Sequence, residues 1–198
     1  MLVSLLGYSG LIAAIWIVFS ISLTGYFYPK FNHKTQFCSE LGAINSPTQQ
    51  LTPIINHYPL GILFLLFGGY IIQLHQTSVW ITLIGSTIAI HGVATWVAGY
   101  FPMDKDPYTR SPSLSGKVHS WAGFILFLSL LFPPILCLFS AEFSLIFKFG
   151  SLVSIILSLY FTRQLTQAYK EKTTPGLYQR LCYGTQLIWL SALSIILR

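Results

Sequence analysis

With five acidic residues and five histidines, this chain of 198 residues has few side chains for proton transfer or metal binding. Several of them gather in two short segments. One runs from GYFPMDKDP at 99–107 to GKVHSWAG at 116–123 and holds Asp104 and His119. The other, CSELGAINSPTQQ at 38–50 followed by Asn56 and His57, adds Glu40. A carboxylate beside an imidazole fixes its tautomer and raises its basicity, which suits general acid–base work. Asp104, His119, Glu40 and His57 are therefore the candidate catalytic residues, with Asn56 beside them as a candidate ligand-binding residue. Two histidines and a carboxylate also suit a zinc-type site, so any metal would be expected on His57, His119 and Asp104, although nothing fixes a metal or cofactor. No HExxH or GxSxG is present, and none of the hydroxyls of Ser39, Ser46 and Ser120 is marked as a nucleophile. The plainer reading is structural: a histidine opening a helix anchors it at an interface, and an aspartate in a turn caps the next segment.

The elements that must position these residues are apolar. The chain is 54% hydrophobic and 8% charged, with a mean hydropathy of +0.66, whereas soluble domains carry about 25% charged residues. Apolar stretches long enough to cross a bilayer recur, and the short alternating segments of a membrane β-barrel are not evident. The sequence predicts an all-α integral membrane bundle, one domain over 1–198, with six spans near 3–26, 54–74, 79–101, 119–139, 143–161 and 178–197. The first stretch reads as a retained span, since no Lys or Arg precedes Lys30. Residues 75–78 leave room only for a tight hairpin between spans two and three. Pro133-Pro134 is expected to kink or break span four.

Charge orients the bundle. Lys30, Lys34, Lys105, Arg110, Lys117, Arg163, Lys170, Lys172 and Arg180 fall in or beside loops one, three and five, and only Lys148 and Arg198 fall on the other side. The positive-inside rule puts those three loops in the cytoplasm and both termini outside, in a plasma membrane. On this reading the basic residues serve topology and contact with anionic headgroups. The candidate residues then share one membrane face, where Asp104 follows span three and His119 opens span four. His57-x3-Gly61 and His119-x3-Gly123 open two spans alike. His91 differs, lying mid-span in TIAIHGVATWVAGYF. A histidine at that depth faces the bundle interior, either hydrogen-bonded or as a ligand-binding or relay group.

SELGAINSP at 39–47, Asn56, GYFPMD at 99–104 and GKVHSWAG at 116–123 together resemble the bacterial multi-pass membrane family catalogued as domain of unknown function 998. The F-P-x-D and G-x-x-H elements fall on Phe101, Pro102, Asp104, Gly116 and His119. The resemblance implies a multi-pass helical fold and a location for the site, and no reaction. Three functions compete: an enzyme acting on, or a site binding, a lipid or amphiphile at the cytoplasmic leaflet; a non-enzymatic lipid-binding, transport or scaffold bundle; and a haem or redox bundle with His57 and His119 as axial ligands. Membrane lipids are the expected partners and nucleic acid is not, while the oligomeric state is not legible. Three scattered cysteines, Cys38, Cys137 and Cys182, suggest neither a disulfide frame nor a zinc knuckle.

Overall fold

A computed structural model describes residues 6–74 and 78–198. Residues 1–5, the start of the expected first span, and 75–77, most of the expected hairpin connection, lie outside it. The described residues are helical and contain no strand. Six long helices follow one another: α1 (Ser9–Phe27), α2 (Tyr58–Leu74), α3 (Val79–Tyr100), α4 (Leu114–Phe139), α5 (Leu145–Glu171) and α6 (Pro175–Ile196). A 3-10 turn at Cys38–Gly42 lies in the first long loop, and a π-helical segment at Pro53–His57 leads into α2.

Local chemistry sets the helix starts. Ser78, Ser113 and Ser144 are N-caps of α3, α4 and α5, their hydroxyls accepting from the amides of Ile81, Gly116 and Phe147. Pro175 stands in the first turn of α6, where its missing N–H costs nothing. The cap at Ser113 starts α4 at Leu114, about one turn before the expected 119, so His119 lies inside the helix and not at its start. Helix α5 continues ten residues beyond the expected end at 161, because the apolar run passes into a polar helical sequence, RQLTQAYKE. Pro133-Pro134 does not break α4, which is helical from 114 to 139 with both prolines buried. A proline's fixed φ is helical, and inside a bundle the lost donors are tolerated.

Each helix packs against the next, and α6 returns to α1, closing a ring. The tightest pair is α2 with α3. A Cβ on Gly68 would lie 2.5 Å from the Gly85 carbonyl oxygen, and one on Gly61 would lie 2.9 Å from that of Gly92, so these glycines let the two backbones touch. Among the described residues five helical stretches are long and apolar enough to cross a membrane: Ser9–Phe27, Pro53–Leu74, Val79–Tyr100, Leu114–Phe139 and Leu145–Glu171. The sixth, α6, has the length but carries polar residues on an inward face.

Loops one, three and five meet at one end of the ring. Ile44 N–H donates to the Met103 carbonyl at 2.9 Å, Leu177 N–H to Lys34 at 2.8 Å, and the Tyr169 hydroxyl to Pro107 at 2.8 Å. The far half is filled by Phe64, Phe67, Ile84, Ile88, Leu130 and Leu190, all buried. In the loop half the centre is open.

Candidate functional site

That opening is a cavity of about 710 Å³ to which all six helices and the first loop contribute walls. Its depth is apolar, with Ile17, Leu60, Phe127 and Leu187, and its loop end carries Asn56, His57, His119, Gln179 and Arg180. The volume lies in the range of sites that enclose one small ligand, roughly 300–1,000 Å³.

The two histidines arrive from different helices at the C-terminal end of α3. His119 Nδ1 lies 3.0 Å from the Ala98 carbonyl oxygen and 2.8 Å from that of Phe101. A carbonyl only accepts, so Nδ1 carries the proton and caps two carbonyls that the end of α3 leaves without partners. In the neutral ring Nε2 then holds a lone pair, and no described hydrogen bond uses it. The π-helical segment brings His57 to the same place, with its Cβ against Gly99, where a glycine Cβ would lie 2.5 Å away. His57 Nδ1 is buried with no well-formed hydrogen bond, the Thr52 carbonyl lying beside it without aligning. Both rings line the same cavity. Asn56, 7% exposed, lies on the same wall. The matched glycines of the two opening motifs diverge: Gly61 packs on Trp96 and the α3 backbone, whereas a Cβ on Gly123 would enter open space at the cavity wall.

The carboxylates go elsewhere. Asp104 Oδ2 accepts from Ser113 N–H at 3.1 Å and lies against Gly116, in the first turn of α4. A carboxylate there satisfies a free amide and opposes the positive end of the helix dipole. The structure gives Asp104 no hydrogen bond to His119. Glu40 accepts from Phe37 N–H at 2.8 Å and from the Gln36 amide at 3.1 Å. It lines a separate surface cleft with Tyr108 and Lys172. Burial, then the Glu40 carboxylate, raises the Tyr108 hydroxyl above the ordinary phenol range. Of the catalytic candidates, the cavity therefore brings together His57 and His119, joined by Asn56, but not Asp104 or Glu40. Among the described residues no group of three or more His, Cys, Asp or Glu is placed to hold a metal ion.

His91 lies deeper, 0% exposed. Its Nδ1 is 3.1 Å from the Leu126 carbonyl and 2.9 Å from Ser129 Oγ, and its Nε2 is 2.8 Å from the Tyr183 hydroxyl. The Leu126 carbonyl makes Nδ1 the protonated nitrogen, so Tyr183 donates to Nε2. Both ring nitrogens are satisfied, and the Tyr183 oxygen at the cavity wall is left as an acceptor.

The contribution of α6 is absent from the candidates that the sequence offers. Gln179, Tyr183 and Gln186 follow at helical spacing on one face with Arg180 beside them, and Gln186, 2% exposed, donates to the Phe127 carbonyl at 3.2 Å. That polar line in an otherwise apolar span was the available signal. Arg180 reads in the sequence as a loop charge. In the structure its Nη1 donates to the carbonyls of His33 (2.6 Å), Gln36 (2.9 Å) and Gly176 (2.9 Å), tying loop one to α6.

A ring of helices, most of them of membrane-spanning length and apolarity, enclosing a cavity with a polar end, defines a helical protein of membrane-spanning build. Within that class the chain belongs to the family described as Protein of unknown function (DUF998), whose model matches residues 11–196. No curated protein and no solved structure matches it.

Proposed function

We propose that the protein is a six-span membrane protein whose central cavity binds a lipid or other amphiphile, with the polar part at His57, His119 and Asn56 and the apolar part directed toward mid-bundle. The observation that carries this reading is the cavity's polarity gradient: polar groups with free hydrogen-bonding capacity at the loop end, apolar side chains in the depth. An amphiphile has the same gradient. The excess of Lys and Arg at that end supports a cytoplasmic orientation in a bacterial plasma membrane, and the length of α6 supports its counting as a span.

The test is to purify the protein in mild detergent and quantify co-purifying amphiphiles by mass spectrometry, for the wild type and for Gly123→Leu. The new side chain enters open space, and replacing a helical glycine adds about 0.5–1 kcal/mol of helix preference. The variant is expected to fold at least as well as the wild type and to lose bound amphiphile. Equal amphiphile content in the two proteins would refute the reading.

One observation favours turnover as well as binding. With Nδ1 fixed as a donor, His119 presents an unprotonated Nε2 to the cavity, as a general base must. His119→Gln, which keeps an amide donor for the carbonyls, is then expected to retain amphiphile and abolish conversion. Conversion at the wild-type rate by this variant would exclude His119 as the base.

A further inference from the structure

Among the described residues Arg180 is the one permanently charged group on the cavity wall, and two of its three guanidinium nitrogens have no hydrogen-bond partner. Nη1 is committed to two carbonyls of loop one and one of α6, but Nε and Nη2 are buried without acceptors. Those two nitrogens form the side-on edge of the guanidinium, whose parallel N–H bonds match the spacing of two oxygens of a carboxylate or phosphate. An arginine stays charged in any protein setting, and a buried charge without a counter-ion is costly.

Among the described residues no carboxylate is bonded to Arg180. Of the chain's five acidic residues, Glu40 binds Phe37 and Gln36, Asp104 binds Ser113, Asp106 binds Tyr108, Glu171 binds Gln167 and Glu142 meets Ser140. None reaches Arg180. Arg180 lines the mouth of the apolar chamber, its guanidinium 5.7 Å over the Phe31 ring, with Nε and Nη2 covered by the wall and given no acceptor. We propose that Arg180 makes the cavity selective for amphiphiles with an oxyanion head, a phosphate monoester in particular, gripped through Nε and Nη2 with its chain running past Leu187. This rests on the amphiphile-binding reading above and adds the charge of the ligand to it.

The test is native mass spectrometry of the purified protein with two probes that share chain and glycerol, 1-oleoylglycerol 3-phosphate and 1-oleoylglycerol. The wild type is expected to bind the phosphate at least tenfold more tightly. Arg180→Gln is expected to bring the two within about twofold by weakening the phosphate alone, and Arg180→Lys to recover part of the preference, since lysine keeps the charge and loses the fork. Inorganic phosphate at millimolar concentration should not displace the amphiphile; if it does so at the concentration at which it binds alone, the site takes free phosphate and the proposal is overturned.

Arg180→Gln also loosens loop one. The wild-type preference, which needs no variant, and Gly184→Leu, one turn deeper with its Arg180 clamp intact and open space for the new side chain, keep the test decisive if that variant misfolds. Equal binding of both probes by the wild type, abolished for both by Gly184→Leu, overturns the role of Arg180 and leaves the cavity reading standing. Binding of neither probe overturns the cavity reading itself.

Discussion

The outer rim of the loop end and the cavity beneath it use their polar groups in opposite ways. On the rim, the carboxylates of Glu40, Asp104 and Asp106 each accept a backbone N–H, from Phe37, Ser113 and Tyr108. Beneath it, His57, His119 and Arg180 each keep an unused nitrogen or edge. Helix starts and turns offer free amides, so a carboxylate near them is easily satisfied and then serves to fasten the chain. Imidazole and guanidinium must find carbonyls at helix ends, and each has more than one nitrogen, so part of each group is left over. The rim groups hold the loops in place, and the cavity groups are left for a ligand. Asp104 and His119 fasten the two ends of one loop, Asp104 to the start of α4 and His119 to the end of α3.

If that contrast holds, rim substitutions lower stability without touching ligand selectivity. The largest effect is expected from Gly116→Ala, whose Cβ would lie 2.0 Å from Asp104 Oδ2 and 2.7 Å from its Cγ. Displacing the carboxylate forfeits the cap and adds overpacking, about 2–4 kcal/mol together, read as a fall in thermal midpoint in detergent. Asp104→Ala should cost about 1–2 kcal/mol, and Asp104→Asn less, since the amide oxygen still accepts from Ser113. A folded Asp104→Ala protein that binds no amphiphile would break the comparison, because the rim would then belong to the site.

The helices were legible in the sequence because apolar runs of about twenty residues have few alternatives, and the loop end was legible because topology brings loops one, three and five together. Which residues share the cavity was not. Asp104 and His119 stand fifteen positions apart at similar depth, yet they serve opposite ends of successive helices, a distinction of direction that depth does not contain. His91 finds its partners in α4 and α6, 35, 38 and 92 positions away, beyond the reach of any local pattern. Arg180 reads as one of the topology-setting charges because a loop-flanking arginine has the same type and spacing whether its free edge meets water or a cavity. The missed signal was periodic: Gln179, Tyr183 and Gln186 on one face of the last helix.

Cavity substitutions should act on the ligand, and at His119 also on stability, because its Nδ1 caps the end of α3. His119→Ala leaves the Ala98 and Phe101 carbonyls without their donor and is expected to cost about 1–1.5 kcal/mol, with His119→Gln recovering most of it and neither change restoring Nε2. His57→Leu removes an ill-partnered buried nitrogen, so thermal stability should stay within about 0.5 kcal/mol of the wild type or rise, while retention of amphiphile falls. A loss of several kcal/mol from His57→Leu would show that its nitrogens are engaged in holding the fold, and the contrast between rim and cavity would then fail at that residue.

The smallest effect expected joins the two regions. His33 lies in loop one, exposed, its carbonyl gripped by Arg180 and its ring edge-on to Phe31 at 5.0 Å. Partial burial, then the Arg180 charge, holds its imidazole below the ordinary histidine range. A histidine depressed in the folded state binds fewer protons there than when unfolded, so stability rises with pH across that window and is lost as pH falls from about 6.5 toward the folded value. For a group this exposed the loss should be slight. It should appear as the small part of the fall in thermal midpoint between about pH 7 and 5 that His33→Gln removes, the buried histidines supplying the rest, and that part should be smaller in the Arg180→Gln background, which lacks the second cause of the shift. An oxyanion held on the free edge of Arg180 would offset that charge, so saturating amphiphile phosphate should flatten the same slope in the wild type. A slope that phosphate leaves unchanged while it binds would place the anion away from Arg180 and return that residue to the rim.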